Sequence, residues 1–425
     1  MSWNATQTTL GDETCFRTLN GLWKGKKPPF VEAGVIRNTN FTESGRIDFD
    51  NIAWLEVEEK QLAKRQLEAG DIIIERSGGG PKQPVGRVVF FDRNDGRFSF
   101  SNFTSAIRVG DRAAFDAKFV FYSLLELYQS GQTEDLQRRT TGIRNLDFSA
   151  YKERAVFPRI PLPEQRKIAE VLGLVQRAME QQERLIEKTA ELKKTLLHQL
   201  FTQGTRGEPQ KQTDLGPVPE SWEVVKLSEV CTFISGGTPS KQRPDFWEGT
   251  IPWASPKDMK RPRLRDVVDH ISDEALEDGS RLAPAGSIFV VIRGMILAKD
   301  VPVALAEVPM AFNQDMKAII PGERISSAFL LYALGAFKRN LFEKVGRSAH
   351  GTMTLMSTEI SSFAIPLPDR KTQEEIATAL ETVETKFEHY RRKHATLSAL
   401  FRTLLHQLMT AQLRVHDLDL PELSK

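Results

Sequence analysis

The sequence predicts an α+β protein. Two similar α/β domains are separated by two long, antiparallel coiled-coil helices, and the halves form an internal repeat with pseudo-two-fold symmetry. Three observations predict this. Ile160-Pro161-Leu162-Pro163 recurs as Ile365-Pro366-Leu367-Pro368, and the hexamer Thr195–Leu200 (TLLHQL) recurs as Thr403–Leu408. Ile168 to Thr195 and Ile376 to Thr403 span the same number of residues, and two marks at a preserved separation mean duplication. Between the marks, apolar residues recur in alternating steps of four and three, the seam of a coiled coil.

Composition sets the bounds. At 425 residues the chain holds two or three domains of roughly 100–200 residues each. With 40% hydrophobic and 27% charged residues it has ample material for cores, and a net charge of +2 requires any nucleic-acid surface to be local. Two distant cysteines, Cys15 and Cys231, exclude a disulfide framework and a multi-cysteine zinc site and fit a reducing, cytoplasmic setting. The start shows no basic region followed by an apolar run, so no signal peptide is expected. The apolar stretch Phe329–Phe337 is too short to cross a bilayer, so no membrane partner is expected.

In chain order, residues 1–155 read as the first domain, with strands at Asp71–Glu75 and Arg87–Phe91 and a helix at Lys118–Tyr128. Ser77-Gly78-Gly79-Gly80 reads as a hairpin or phosphate-approach loop. Residues 156–203 form the first arm, with Pro163 in the first helical turn, where a missing N–H costs little. Residues 204–221 are a Gly/Pro/polar linker, 222–362 the second domain, 363–412 the second arm and 413–425 a tail. The first arm's seam is Ile168, Leu172, Val175, Met179, Ile186, Leu196 and Leu200; the second's is Ile376, Leu380, Val383, Phe387, Tyr390, Leu397, Phe401, Leu404 and Leu408. Three polar seam positions, Gln182, Thr189 and Lys193, are expected to face Tyr390, Leu397 and His394. An arm of roughly 38 residues is about 57 Å long, a rigid strut.

The globular segments align more weakly. Gly25–Pro28 matches Gly236–Pro239, Ala69–Ile74 matches Ala285–Val290, and Phe119 and Tyr122 match Phe329 and Tyr332. Thr141-Gly142 before Leu146 matches His350-Gly351 before Leu355. Arg37-Asn38-Thr39 stands against Ala254-Ser255-Pro256, and Asn102 against Gln314. Framework repeats while surface differs, which two distinct recognition tasks require.

Basic and polar loop residues cluster at matching places in the copies. In the first domain they are Lys24, Lys26, Lys27, Arg37, Asn38, Arg76, Asn102, Arg138, Arg139, Arg144 and Asn145. In the second they are Ser240, Lys241, Arg243, Ser255, Lys257, Lys260, Arg261, Arg293, Asn313, Gln314, Arg347, His350 and Thr352. Lys and Arg neutralise phosphates, while Arg, Asn, Gln and Ser read base edges, so these are candidate DNA contacts. The competing reading of each residue alone is a solvated surface side chain. A repeat also matches the two-fold symmetry of duplex DNA.

No catalytic constellation stands out. Lys27-Pro28-Pro29-Phe30 resembles the Asn/Asp-Pro-Pro-Tyr/Phe motif of amino-methyltransferases, but Lys27 is a cation with no acceptor, and ordinary turn chemistry is expected. No Gly-rich cofactor loop and no phosphate loop occur. His198 and His406 share a repeat position and are assigned to helix packing or a partner contact, with no metal site. The outer arm faces, with Gln165, Arg166, Glu170, Gln181 and Glu183 against Glu374, Glu375, Thr378 and Tyr390–Arg392, brace the domains or dock other subunits.

These elements in this order carry a resemblance over the whole chain. Ile-Pro-Leu-Pro-x-Gln-x-x-Ile, a long helix ending in TLLHQL, then Pro219–Leu227 with Ser235-Gly236-Gly237-Thr238-Pro239-Ser240, and the helix again are similar to the specificity subunit of type I restriction–modification systems. Thr189-Ala190-Glu191-Leu192 resembles the four-residue unit whose copy number sets helix length in that family. Two departures are three extra residues after the second Ile-Pro-Leu-Pro (Asp369–Thr372 against Glu164) and no clear Ser-Gly-Gly-Thr in the first domain. The resemblance implies that each domain is a target-recognition domain reading one half of a bipartite site in double-stranded DNA, and that the arms set the spacer. It implies two modification subunits that carry S-adenosylmethionine and methylate adenine N6 after base flipping. It also implies restriction subunits that use ATP and Mg, while this chain contributes specificity and no cofactor. Two other readings stay open: a specificity subunit of a different methyltransferase-based defence system (type IIB-like or phage-exclusion), and a catalytic methyltransferase.

Overall fold

A computed structural model describes residues 5–23, 25, 27–80, 83–140, 143–347 and 351–418; the side chains of Arg139 and Thr140 lie outside the description. The chain forms two compact units, residues 1–183 with 392–425, and residues 184–391. No helix among the described residues is long and apolar enough to cross a membrane.

The first unit is built on an antiparallel sheet ordered Phe16–Asn20, Thr104–Val109, Ile72–Glu75, Val88–Phe90. Ile72, Ile73 and Ile74 are fully buried, as expected of a central strand covered on both faces. A second sheet, ordered Ala53–Glu58, Phe30–Ile36, Phe98–Phe100, pairs its last two strands in parallel. The second unit repeats this plan. Its main sheet runs Cys231–Ser235, Met316–Pro321, Ile288–Val291, Val303–Ala306, with one added edge strand, Arg263–Leu264. Its second sheet runs Asp269–Ile271, Ile251–Ala254, Met310–Phe312, again with a parallel pair, and adds Leu282–Ala283.

Each unit carries one domain helix against its main sheet. Ala117–Gln129 is capped by the Asp116 carboxylate, which accepts from the amides of Lys118 (3.0 Å) and Phe119 (3.1 Å). Ser327–Ala336 is capped by the Ser326 hydroxyl, which accepts from the Phe329 amide at 3.2 Å. That apolar stretch is therefore a core helix, with Phe329, Leu330, Ala333 and Leu334 fully buried.

The arm helices span Leu162–Gln203 and Arg370–Met409. Each contributes one part to each unit. In the first unit Glu183 Oε1 meets His394 Nε2 at 3.1 Å while Glu164 meets Arg414 at 3.7 Å. In the second, Lys193 Nζ meets Glu384 Oε1 at 2.6 Å while Thr205 Oγ1 meets Glu375 Oε2 at 3.1 Å. In each unit, going up one chain means going down the other, so the segments are antiparallel. Lys193 therefore faces Glu384 and not His394, whose partner is Glu183; an antiparallel pair brings together residues that differ from repeat equivalents. Every apolar seam residue named above, with Tyr390, is buried or partly buried. Toward the domains the seam widens: Leu405, beside Leu404, is fully buried in the first unit's core with Phe401 and Leu408.

Two residue pairs fix arm to domain. Gln165 is fully buried; its Nε2 donates to the carbonyls of Ala114 (2.7 Å) and Ile160 (2.8 Å), and its Oε1 accepts from the Asp116 amide at 2.9 Å. Gln373 does the same with Arg324 (2.9 Å), Pro368 (3.0 Å) and the Ser326 amide (2.9 Å). Gln165 is thus not on an outer docking face. The Tyr122 hydroxyl likewise donates to Gln176 Oε1 at 2.9 Å, and that of Tyr332 to Glu384 Oε2 at 3.0 Å.

These contacts reset the repeat register. Phe157 and Pro158 occupy the strand positions of Ile365 and Pro366, because Leu10 N bonds Ala155 O as Leu227 N bonds Phe363 O. The two Ile-Pro-Leu-Pro strings therefore sit three residues apart in the fold. The three extra residues expected after the second string are not an insertion. The expected linker also contains structure: Gln210–Thr213 and Gly216–Pro219 pair as a hairpin whose turn uses Gly216 at φ +101°. Its Val218 is fully buried in the second unit's core with Trp222 and Phe201.

Candidate nucleic-acid interface

In each unit the loop leaving the first main-sheet strand is pressed against the loop that joins the two sheets. Leu22 N donates to Phe100 O at 2.8 Å, and Gly237 N to Phe312 O at 2.9 Å. A Cβ on Gly21 would lie 1.9 Å from Ser101 O, and one on Gly236 2.3 Å from Asn313 O, so only glycine fits either position. Asn20-Gly21-Leu22-Trp23 is thus the first domain's counterpart of Ser235-Gly236-Gly237-Thr238, and Gly25 is not the match of Gly236. A second turn repeats too: Arg37 N donates to Asn40 Oδ1, and Ser255 N to Asp258 Oδ2, each at 2.9 Å. Arg37 therefore corresponds to Ser255, one residue later than the sequence alignment placed it.

Around this junction the first unit has two adjoining depressions. One is lined by Asn20, Trp23, Arg76, Ser77, Asn102, Phe103 and Asn145. The other is lined by Leu22, Val35, Arg37, Asn38, Leu55, Val57, Asn102 and Phe103. Five predicted residues, Arg37, Asn38, Arg76, Asn102 and Asn145, are brought together here. Arg76 is held by neutral partners: its Nη1 donates to Asn20 Oδ1 (3.1 Å) and Ser105 Oγ (3.3 Å), and its guanidinium lies 4.5 Å from the Phe148 ring centre. Burial lowers its pKa from the usual arginine value, so the charged form gains from an added anion. Asn38 is committed through Nδ2 to Glu75 Oε1 (3.0 Å), within the buried Glu75–Arg87 pair (2.8 Å).

The other first-domain candidates stand apart from the depressions. Arg138 stands in register with Asn145 and pairs with Asp147, the cap of the following helix, and Arg144, in register with Arg139, lies on the same strand as Asn145. Lys27 is exposed. Lys24, Lys26 and the side chain of Arg139 lie outside the described residues, as does His350 of the second domain.

In the second unit the same junction holds Thr238, Asn313 and Gln314. Asn313 Oδ1 accepts from the Asp315 amide at 2.6 Å, its Nδ2 reaches Thr238 Oγ1 at 3.4 Å, and that hydroxyl donates to Gln314 Oε1. Exposed Arg293 bonds Asp315 O through its backbone and bridges Thr354, on the hairpin that also carries Arg347; Thr352 lies in its turn. Lys257, Lys260 and Arg261 line a separate depression with Arg263, Arg265 and Glu307. The Asp269 carboxylate, 2.7 Å from Lys257 Nζ, raises that ammonium's pKa. Ser255 is buried and its hydroxyl is spent on Asp258 Oδ2 at 2.8 Å, because a turn-forming serine satisfies its own loop first. Ser240, Lys241 and Arg243 cluster elsewhere, around the turn Pro244–Trp247, with Arg243 Nε 2.9 Å from Asp245 Oδ1.

Sequence reasoning missed the exposed apolar residues of the first unit's junction, Trp23, Leu55 and Phe103. The available signal was positional: Trp23 follows Asn20-Gly21 at the place of the second domain's Ser-Gly-Gly-Thr. The histidines sort differently from one another. His198 is exposed, while His406 Nδ1 lies 2.8 Å from Glu126 Oε1. Among the described residues no three His, Cys, Asp or Glu side chains come together as a metal site.

Residues 219–398 match the sequence model of the type I restriction modification DNA specificity domain. The chain is 38% identical over 161 residues to the Escherichia coli type I restriction enzyme EcoR124I/EcoR124II specificity subunit, covering 37% of this chain and 40% of that one. It is 28% identical over 197 residues to the Methanocaldococcus jannaschii MjaIX specificity subunit, covering 45% and 44%. The matched segments thus span less than half of either relative. A longer match, 21% identical, pairs 93% of this chain with 91% of the putative MjaX specificity subunit of M. jannaschii. Among solved structures, the type I restriction–modification S subunit from M. genitalium aligns with a TM-score of 0.62 at 17% identity, over 96% of this chain and 97% of that one. A chain from a study of type I complex assembly and conformational transition aligns with a TM-score of 0.53 at 19% identity, over 97% and 100%.

Proposed function

We propose that the chain is a specificity subunit of the type I restriction–modification kind and that it supplies sequence recognition to such a complex. Each unit reads one half of a bipartite double-stranded DNA site, and the arms set the spacer between the halves. Two modification subunits dock along the arms and carry S-adenosylmethionine for adenine methylation. Restriction subunits add ATP-driven cleavage. The chain itself contributes binding and no bond chemistry.

One observation carries this reading. The two units share sheet order, parallel pair and glycine junction, yet place different groups at that junction: Asn102, Phe103 and Arg76 in one, Gln314, Asp315 and Arg293 in the other. One scaffold offering two different sets of base-edge donors and acceptors suits a site with two unlike halves. The basic depression at Lys257, Lys260 and Arg261 supplies phosphate neutralisation, which positions the protein without reading sequence. Methylation mapping of a genome carrying this gene tests the proposal. Two specified segments flanking an unspecified spacer are expected, and loss of the gene should abolish that methylation. A single continuous motif, or methylation that persists without the gene, would contradict it.

A further inference from the structure

We propose that the first unit reads thymine through its 5-methyl group, using Phe103 and the apolar recess beside it; this rests on the DNA-recognition reading above. Phe103 is the shared wall of the two depressions in the first unit. On one side stand the polar groups Arg76, Asn145 and Asn20. On the other, Leu22, Val35, Leu55 and Val57 line a recess that is mainly apolar. Asn102 stands at the edge of both. Phe103 and Leu55 remain 44% and 45% exposed, and Trp23, at the rim of the polar side, 65%. Single exposed apolar residues are ordinary on a protein surface, but a contiguous group beside convergent polar side chains marks a contact surface. Against a major-groove edge, the apolar group with which such a surface is complementary is the thymine methyl.

The second unit lacks this feature for a visible reason. Strand pairing makes Trp253 the counterpart of Val35, and its indole, 4% exposed, is buried with Nε1 donating to Gly237 O at 3.0 Å. Asp315 stands at the position of Phe103. Methyl recognition is therefore assigned to one half of the DNA site.

The test uses the full-length chain with its modification partners and duplexes of the mapped site in which deoxyuridine replaces thymidine in one half at a time. Removing one buried methyl is expected to weaken binding about three- to fivefold. The loss should be confined to one half and should vanish in Phe103→Ala, whose partly exposed ring can be removed without opening the core. Circular dichroism and melting of Phe103→Ala check that it is folded, and Leu55→Ala gives a second arm with the same expected result. Equal affinity for thymidine and deoxyuridine duplexes, a mapped site with no thymine in either half, or an undiminished uracil penalty in both variants would overturn the inference. Those outcomes leave the broader reading standing, because sequence-specific binding would persist. Loss of any preference for the mapped site over unrelated DNA would instead remove the reading on which the inference rests.

Discussion

Gln165 and Gln373 make the same three hydrogen bonds, each within its own unit. The side-chain nitrogen donates to two carbonyls, one at the helix entry and one before the domain helix, and the side-chain oxygen accepts from the residue that caps that helix. Both side chains are fully buried. The amide thus satisfies three backbone groups on two chain segments that would otherwise be orphaned away from water.

Replacing either glutamine by alanine should cost about 2–4 kcal/mol, because it leaves buried carbonyls and an amide unpaired as well as a void. Urea unfolding of the single variants measures this. A cost below about 0.5 kcal/mol, the level of an ordinary surface substitution, would show that the bonds are replaced by water.

Much of this architecture was legible in the sequence, and the failures are physical. The seam was readable because burial imposes a strict period on apolar residues, as with Leu172, Leu380 and Phe401. Gln165 was misassigned because a polar residue on a helix looks alike whether it faces water or joins buried carbonyls; its recurrence as Gln373 was the signal. The Ile-Pro-Leu-Pro strings were identical yet three residues out of register, because Phe157 fills the strand position of Ile365 as an apolar residue of another shape. In the candidate interface, residue type was visible but commitment was not. Ser255 is spent on its own loop and Asn38 on Glu75 of the main sheet, while Trp23 and Phe103 carried no polar signal at all.

Stability should fall on the alkaline side. Burial raises the pKa values of Tyr122, Tyr151 and Tyr332, the last also through Glu384, and pushes the Cys231 thiol up to about 11. A folded value above the unfolded one gives stability that is full below the unfolded value, about 10 for tyrosine, and lost as pH rises through the folded value. Melting temperature followed from neutral to alkaline pH should therefore drop above about pH 10, with tyrosinate absorbance rising as the chain unfolds. Ionisation of all five tyrosines near the free value in a still-folded chain would contradict this.

Asn102→Ala and Gln314→Ala should each relax one half of the DNA site and leave the other intact, at a cost of about 1–3 kcal/mol for the preferred base. Binding to duplex libraries randomised in one half at a time reads this directly. An equal loss across all sequences would make these residues phosphate contacts or structural supports.

Lengthening the first arm tests the ruler. One more Thr-Ala-Glu-Leu unit after Leu192 adds about 6 Å of helix, against about 3.4 Å per base pair, so the mapped spacer should widen by about one or two base pairs. The two specified halves should keep their sequence. An unchanged spacer would show that the arms do not set it.

The most direct measurement of the central claim is methylation mapping after exchange of residues 1–155 for the corresponding segment of another specificity subunit. The account predicts that one specified half changes to that of the donor while the other half stays. A change in both halves, or in neither, would contradict the assignment of one half-site to each unit.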